Sequence, residues 1–153
     1  MMAHDFDRKH LYIALAIFAL AASFWFVGAK GRAGSWSDTS RMAAIESLVE
    51  RGTWQIDKSD FATTGDKVFL NGHFYSDKPP LLQFLAAGVY AIMRQVSGAD
   101  LADRDCTPGE VCAYKWLTFL VVGLSSAVML ASFYWFSAGL THSVWRSLLA
   151  AGL

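Results

Sequence analysis

The run WLTFLVVGLSSAVMLASFYWFSAGL, Trp116 to Leu140, carries no charged residue. At about 1.5 Å per helical residue it is longer than the roughly 30 Å hydrocarbon core of a bilayer, so it can cross with some tilt. A second uncharged run, LYIALAIFALAASFWFVGA, Leu11 to Ala29, is long enough by the same measure. Trp25, Phe26, Trp116, Tyr134, Trp135 and Phe136 sit at the ends of these runs, where interfacial aromatic belts form. A third apolar run, SLLAAGL, begins at Ser147. It reads as the start of another span, and the chain as a truncated piece of a longer protein. The expected fold class is an α-helical integral membrane protein, multi-span, with a mostly helical extracytoplasmic loop that contains a short β-hairpin.

Composition agrees. The chain is 54% hydrophobic and 17% charged, against a usual 45–50% and about a quarter. Its formal net charge is +0, which excludes the basic excess that a broad nucleic-acid surface needs. Leu11–Ala29 could instead be a cleaved signal peptide, with Arg8 and Lys9 as its basic end. The run is longer than the usual 7–15 apolar residues of such a segment, which favours an uncleaved span.

Arg8 and Lys9 favour a cytoplasmic N-terminus. The expected order is then residues 1–10 cytoplasmic, 11–29 the first span and 30–115 an outside loop. Residues 116–140 form the second span, 141–146 a cytoplasmic connection holding Arg146, and 147–153 the start of a third span. The remaining apolar run, LLQFLAAGVYAIM, Leu81 to Met93, is too short to cross and reads as a helix lying at the interface.

The outside loop has its own pattern. Met42, Ile45, Leu48 and Val49 share one helical face. They predict a helix over about 38–51, with Ser37 or Asp38 as N-cap and Gly52 as the stop. Two aromatic and β-branched runs flank Asn71-Gly72, which predicts a hairpin over about 67–76 on a type I′ turn. Pro79-Pro80 opens a further helix, to about residue 96, since proline suits the first turn. Lys78 then lies in extended chain at a helix N-terminus. Helix dipole and ammonium together make an anion site at the membrane surface.

Cys106 and Cys112 flank a TPGE turn. A disulfide loop, two free thiols or half of a zinc site all fit the spacing. An oxidising exterior favours the disulfide.

With these residues in place, the chain resembles the N-terminal part of the GT-C membrane glycosyltransferases, specifically the lipid A aminoarabinose transferases and protein O-mannosyltransferases. The resemblance rests on SWSDTSRMAAIESLVERGTW and GHFYSDKPPLLQF, both lying between two spans. It implies an enzyme of the bacterial inner membrane that works on the extracytoplasmic side. Such enzymes move a sugar from a polyprenyl-phosphate donor to a lipid, glycan or protein acceptor. It implies that Asp38 is the catalytic base, that Lys78 meets the donor phosphate, and that Asp77 matches an acid that helps some relatives bind a divalent metal. Two departures stand out. Asp38 is followed by Thr39 where many relatives have a second acid, and Asp77 stands where many have Glu. On the residues alone, Asp38 reads equally as an N-cap, Lys78 as a snorkelling interface lysine, Asp77 as a partner of Lys78 or a cap of the next helix, and His73 as a surface hairpin residue. The rival class is a non-enzymatic membrane protein, a lipid-binding or assembly subunit with an external loop.

Overall fold

The computed structural model of the chain describes residues 2–102, 112–141 and 143–152, with side chains from residue 8 onward. Cys106 lies outside the described residues. The described residues are mostly helical, with a two-stranded sheet, and the chain divides into two compact units.

One unit comprises the residues up to Gly28 and those from Val122 onward. Helix α1, Met2–Gly28, packs along α5, Leu124–Thr141, and α6, Val144–Ala150, returns against α5. Ala14, Ile17, Tyr134 and Ala138 are buried between them. His10 Nδ1 and the Tyr134 hydroxyl form a hydrogen bond of 2.8 Å. A buried imidazole and phenol each need a partner, and here they satisfy one another.

Two helical stretches, Arg8–Gly28 and Ala113–Thr141, are long and apolar enough to cross a membrane. Their apolar windows are only 11% and 17% buried, so packing within the protein leaves most of that surface uncovered. Helix α1 starts well before Leu11, because nothing among Asp5, Arg8 and Lys9 breaks a helix. The second stretch consists of α4, Ala113–Thr118, then a π-helical turn, Phe119–Gly123, then α5. Arg146 lies inside α6 rather than in the connection before it. The Ser147 hydroxyl donates to the Ser143 carbonyl at 2.8 Å and meets Thr141 Oγ1 at 2.9 Å, which starts that helix early.

The other unit runs from Ala29 to Val121. Helix α2, Trp36–Arg51, packs on α3, Pro80–Ser97. Ala43, Ala44, Ala86 and Ala87 share one core with Ile45, Ile56, Tyr90 and Leu117. The N-cap of α2 is Ser35, whose Oγ accepts from the Asp38 amide at 3.2 Å. Neither Ser37 nor Asp38 caps the helix. Ser35 is the residue with extended backbone, and this places Asp38 in the first turn. Gly52 ends α2 in the left-handed region.

The hairpin pairs β1, Lys67–Leu70, with β2, His73–Ser76. Both turn residues have positive φ, 51° at Asn71 and 86° at Gly72, as a type I′ turn requires.

Helix α3 distributes its side chains in an unusual way. Gln83, Ala86, Ala87 and Tyr90 are buried. Leu81, Leu82, Phe84, Leu85 and Ile92 are exposed. Most of its bulky aliphatic residues therefore face away from the core.

Candidate functional site

Four short segments meet around Lys78: the first turns of α2, the turn before β1, the end of β2 and the start of α3. Lys78 Nζ lies 2.8 Å from Asp66 Oδ2 and 3.1 Å from Asp77 Oδ1. These bonds, Asp66 first and then Asp77, hold the ammonium above the usual lysine range, so it stays charged at any physiological pH.

The hairpin creates this clamp. Lys67 pairs with Ser76. This is the last pair of the ladder, and Asp66 and Asp77 are the residues that leave it on the two strands, with Lys78 next in the chain. Thr64 fixes the near side: its hydroxyl donates to the Trp36 carbonyl at 2.8 Å and accepts from the Asp66 amide at 3.2 Å. Gly65 permits this because its Cα faces the Trp36 indole, and a Cβ there would lie 2.4 Å from a ring carbon.

Buried hydroxyls and an amide tie the helices to the clamp. Ser40 Oγ meets Ser76 Oγ at 2.7 Å. Gln83 Nε2 donates to Ser76 Oγ at 2.9 Å and to the Lys78 carbonyl at 3.3 Å. The Lys78 amide donates to Ser76 Oγ at 3.3 Å and its carbonyl accepts from Gln83, so Ser76, braced by Ser40 of α2, and Gln83 of α3 hold the backbone here. No side chain caps α3, whose N-cap is Pro79.

Asp38 stands apart from the lysine. Its carboxylate has an ionic neighbour in Arg41, at 3.7 Å, and both side chains are substantially exposed. Two residues before Ser40, it projects from a different side of α2, within electrostatic reach of Tyr114. The structure brings Lys78 to Asp66 and Asp77, and brings the first turns of α2 to β2. It does not set Asp38 against Lys78.

Asp77, the expected metal ligand, is engaged by Lys78. No group of three or more His, Cys, Asp or Glu side chains is arranged to hold a metal among the described residues. With an ammonium between the two carboxylates, these residues form a lysine clamp. Cys112 is held in a disulfide, while Cys106, its expected partner, lies outside the described residues. His73 is exposed and lies 3.3 Å from Asp57. The Phe74 amide, more than the His73 ring, holds the Asp57 carboxyl below the usual carboxylate range.

A second polar cluster joins the later turns of α2 and α3. Glu46 is buried, and accepts from Arg51 Nη2 at 2.6 Å, Ser59 Oγ at 2.7 Å and the Asp60 amide at 3.2 Å. Glu50 accepts from the Tyr90 hydroxyl at 3.1 Å and lies 3.0 Å from Arg94. Burial pushes the Tyr90 hydroxyl up to about 12, so it remains a donor.

Asp66, Ser76, Gln83 and Glu46 have no individual signal in the sequence. Asp66 has an indirect one: Asn71-Gly72 fixes the hairpin register, and the register ends at Lys67–Ser76, which leaves Asp66 and Asp77 at the same end of the hairpin. Comparison with family models, curated proteins and solved structures finds no match to this chain.

Proposed function

We propose that the chain is the N-terminal part of a membrane glycosyltransferase that takes sugar from a polyprenyl-phosphate donor. The observation that carries this reading is a charged lysine, fixed by two acids, at the head of a helix whose outward face is Leu81, Leu82, Phe84 and Leu85. A lipid phosphate has the same layout, an anion joined to an apolar chain. The resemblance in the two sequence motifs supports the same assignment.

In this mechanism the bond between the sugar's anomeric carbon and the phosphate oxygen breaks, and its electron pair stays on the phosphate. Lys78 bonds the phosphate oxygens while that charge grows and so offsets part of the repulsion from Asp66 and Asp77. The acceptor hydroxyl oxygen bonds to the anomeric carbon, and its proton passes to Asp38. In an inverting displacement nucleophile and leaving group lie on opposite faces of the sugar, so Asp38 and Lys78 act from opposite sides of the reacting carbon. No step is assigned to a metal.

Lys78→Ala in the full-length protein tests this directly. Without its charge-assisted bond to phosphate, donor binding should weaken and transfer should slow by about tenfold or more. Lys78→Arg should recover only part, because a planar fork does not reproduce a point charge. Unchanged donor binding in Lys78→Ala would overturn the reading. Lipid binding without any sugar transfer by the full-length protein would favour the non-enzymatic alternative, for which the exposed face of α3 alone suffices.

The reading places residues 30–115 outside the cytoplasm, with α3 along the membrane surface, in a bacterial inner membrane. Single cysteines at Lys58, which is exposed, and at Ser143 can be probed with a membrane-impermeant maleimide. Intact cells should label at Lys58 and stay unlabelled at Ser143. The reverse pattern would overturn the topology. Gly65, on the same loop, is unsuitable for a probe because any side chain there meets Trp36.

A further inference from the structure

Lys78 carries one positive charge between two negative ones. The clamp therefore has a net charge of minus one before any ligand arrives. The next cation along the chain does not alter this. Lys67 Nζ donates to the Ala62 carbonyl at 2.7 Å and sits 4.6 Å from the centre of the Phe74 ring. Asp66 makes the shorter of the two carboxylate contacts. Its backbone is held by Thr64 and by the adjoining β1 strand.

We propose that Asp66 is a specificity-determining residue. With Asp77 it makes Lys78 accept a phosphate bearing one negative charge, a phosphodiester, over one bearing two, a phosphomonoester. This rests on the reading of Lys78 as the donor-phosphate site and adds a selection rule to it.

The physical basis is charge counting at short range. A phosphomonoester carries about −1.5 to −2 charges near pH 7, whereas a phosphodiester carries one. Either ligand gains the attraction of Lys78. The second charge of the monoester is added beside two carboxylates already in contact with that lysine. Repulsion at this distance outweighs what one shared ammonium returns. The side chains are partly exposed, so solvent screens the effect to about five-fold in affinity. A sugar-bearing donor is a diester, and the lipid left after transfer is a monoester. The same two acids that admit the donor therefore help to expel the product.

Asp66→Asn is the informative substitution. Its amide oxygen can still accept from Lys78, so the clamp keeps its shape and gives up a charge. Binding of a short-chain prenyl phosphate and of its methyl ester would be measured on the full-length protein in nanodiscs. The pH is set about two units above the monoester's second ionisation, near 6. The wild type should bind the methyl ester about five-fold more tightly. Asp66→Asn should bind the monoester about five-fold more tightly than the wild type does, closing the gap. Equal binding of the two ligands by the wild type would overturn the proposal, as would a preference that Asp66→Asn leaves unchanged. Lys78→Ala separates the two levels. If it binds both ligands as well as the wild type does, the donor-site reading fails and the selection rule with it. If binding needs Lys78 yet ignores ligand charge, only the role of Asp66 fails.

Discussion

Asp38→Asn should keep the fold and slow sugar transfer by about a hundredfold or more, the scale of a positioned general base. The structure makes this substitution cleaner than the sequence implies. Asp38 does not cap α2; Ser35 does. The Asp38 amide, which Ser35 holds, survives the change, and the ion pair that disappears is the exposed one with Arg41. An exposed pair of this kind contributes at most about 1 kcal/mol. Thermal unfolding of the full-length protein should therefore match the wild type. Ser35→Ala is the complementary control: it should cost about 1 kcal/mol of stability and leave the carboxylate in place. If Asp38→Asn transferred sugar at nearly the wild-type rate, the base would have to be another residue.

The largest effect on stability should come from Glu46→Ala. Glu46 is 1% exposed and receives Arg51, the Ser59 hydroxyl and the Asp60 amide. Removing it leaves three donors facing an apolar methyl. Breaking a buried pair by deleting one partner costs about 3–5 kcal/mol. Arg51 keeps some solvent and a neighbour in Glu50 at 3.5 Å, so the lower end applies. Denaturant unfolding in detergent should show a destabilisation of about 3 kcal/mol. Glu46→Gln should fall between, since the amide retains one acceptor but presents a donor pair to Arg51 or Asp60. A Glu46→Ala variant within about 1 kcal/mol of the wild type would mean that the cluster contributes little.

The elements that local chemistry specifies are legible in the sequence. Asn71-Gly72 specifies the hairpin, Gly52 the end of α2, Pro80 the start of α3, and the two uncharged runs the long helices. What local chemistry does not specify is not legible. Ser35, Ser37 and Asp38 are all good N-caps, and only the backbone conformation selects Ser35. The interior of the loop is misleading on hydropathy alone. Gln83 is buried because Ser76 and the Lys78 carbonyl satisfy its amide, whereas Phe84 and Leu85 are left outside. The residues around Lys78 mark it as an anion site and set one of its two carboxylate partners, Asp77, beside it in the chain, but do not reveal the other. That other, Asp66, reaches it only through the strand pairing.

The alanines between α2 and α3 give this region a fixed gauge. Helix axes usually lie 8–10 Å apart, according to the side chains at the contact. Methyl groups set the distance near the lower limit, and Ala43 and Ala44 have no exposed surface left. A wider residue there would act as a shim. It would lift α2 from α3 and pull Ser40 from Ser76, and with it the seam that positions the backbone around Lys78. The outward leucines of α3 carry no such constraint, because nothing within the unit sets their thickness. Drift in sequence should therefore run along the outer side of this helix pair and stall on the inner one, at residues that touch no ligand.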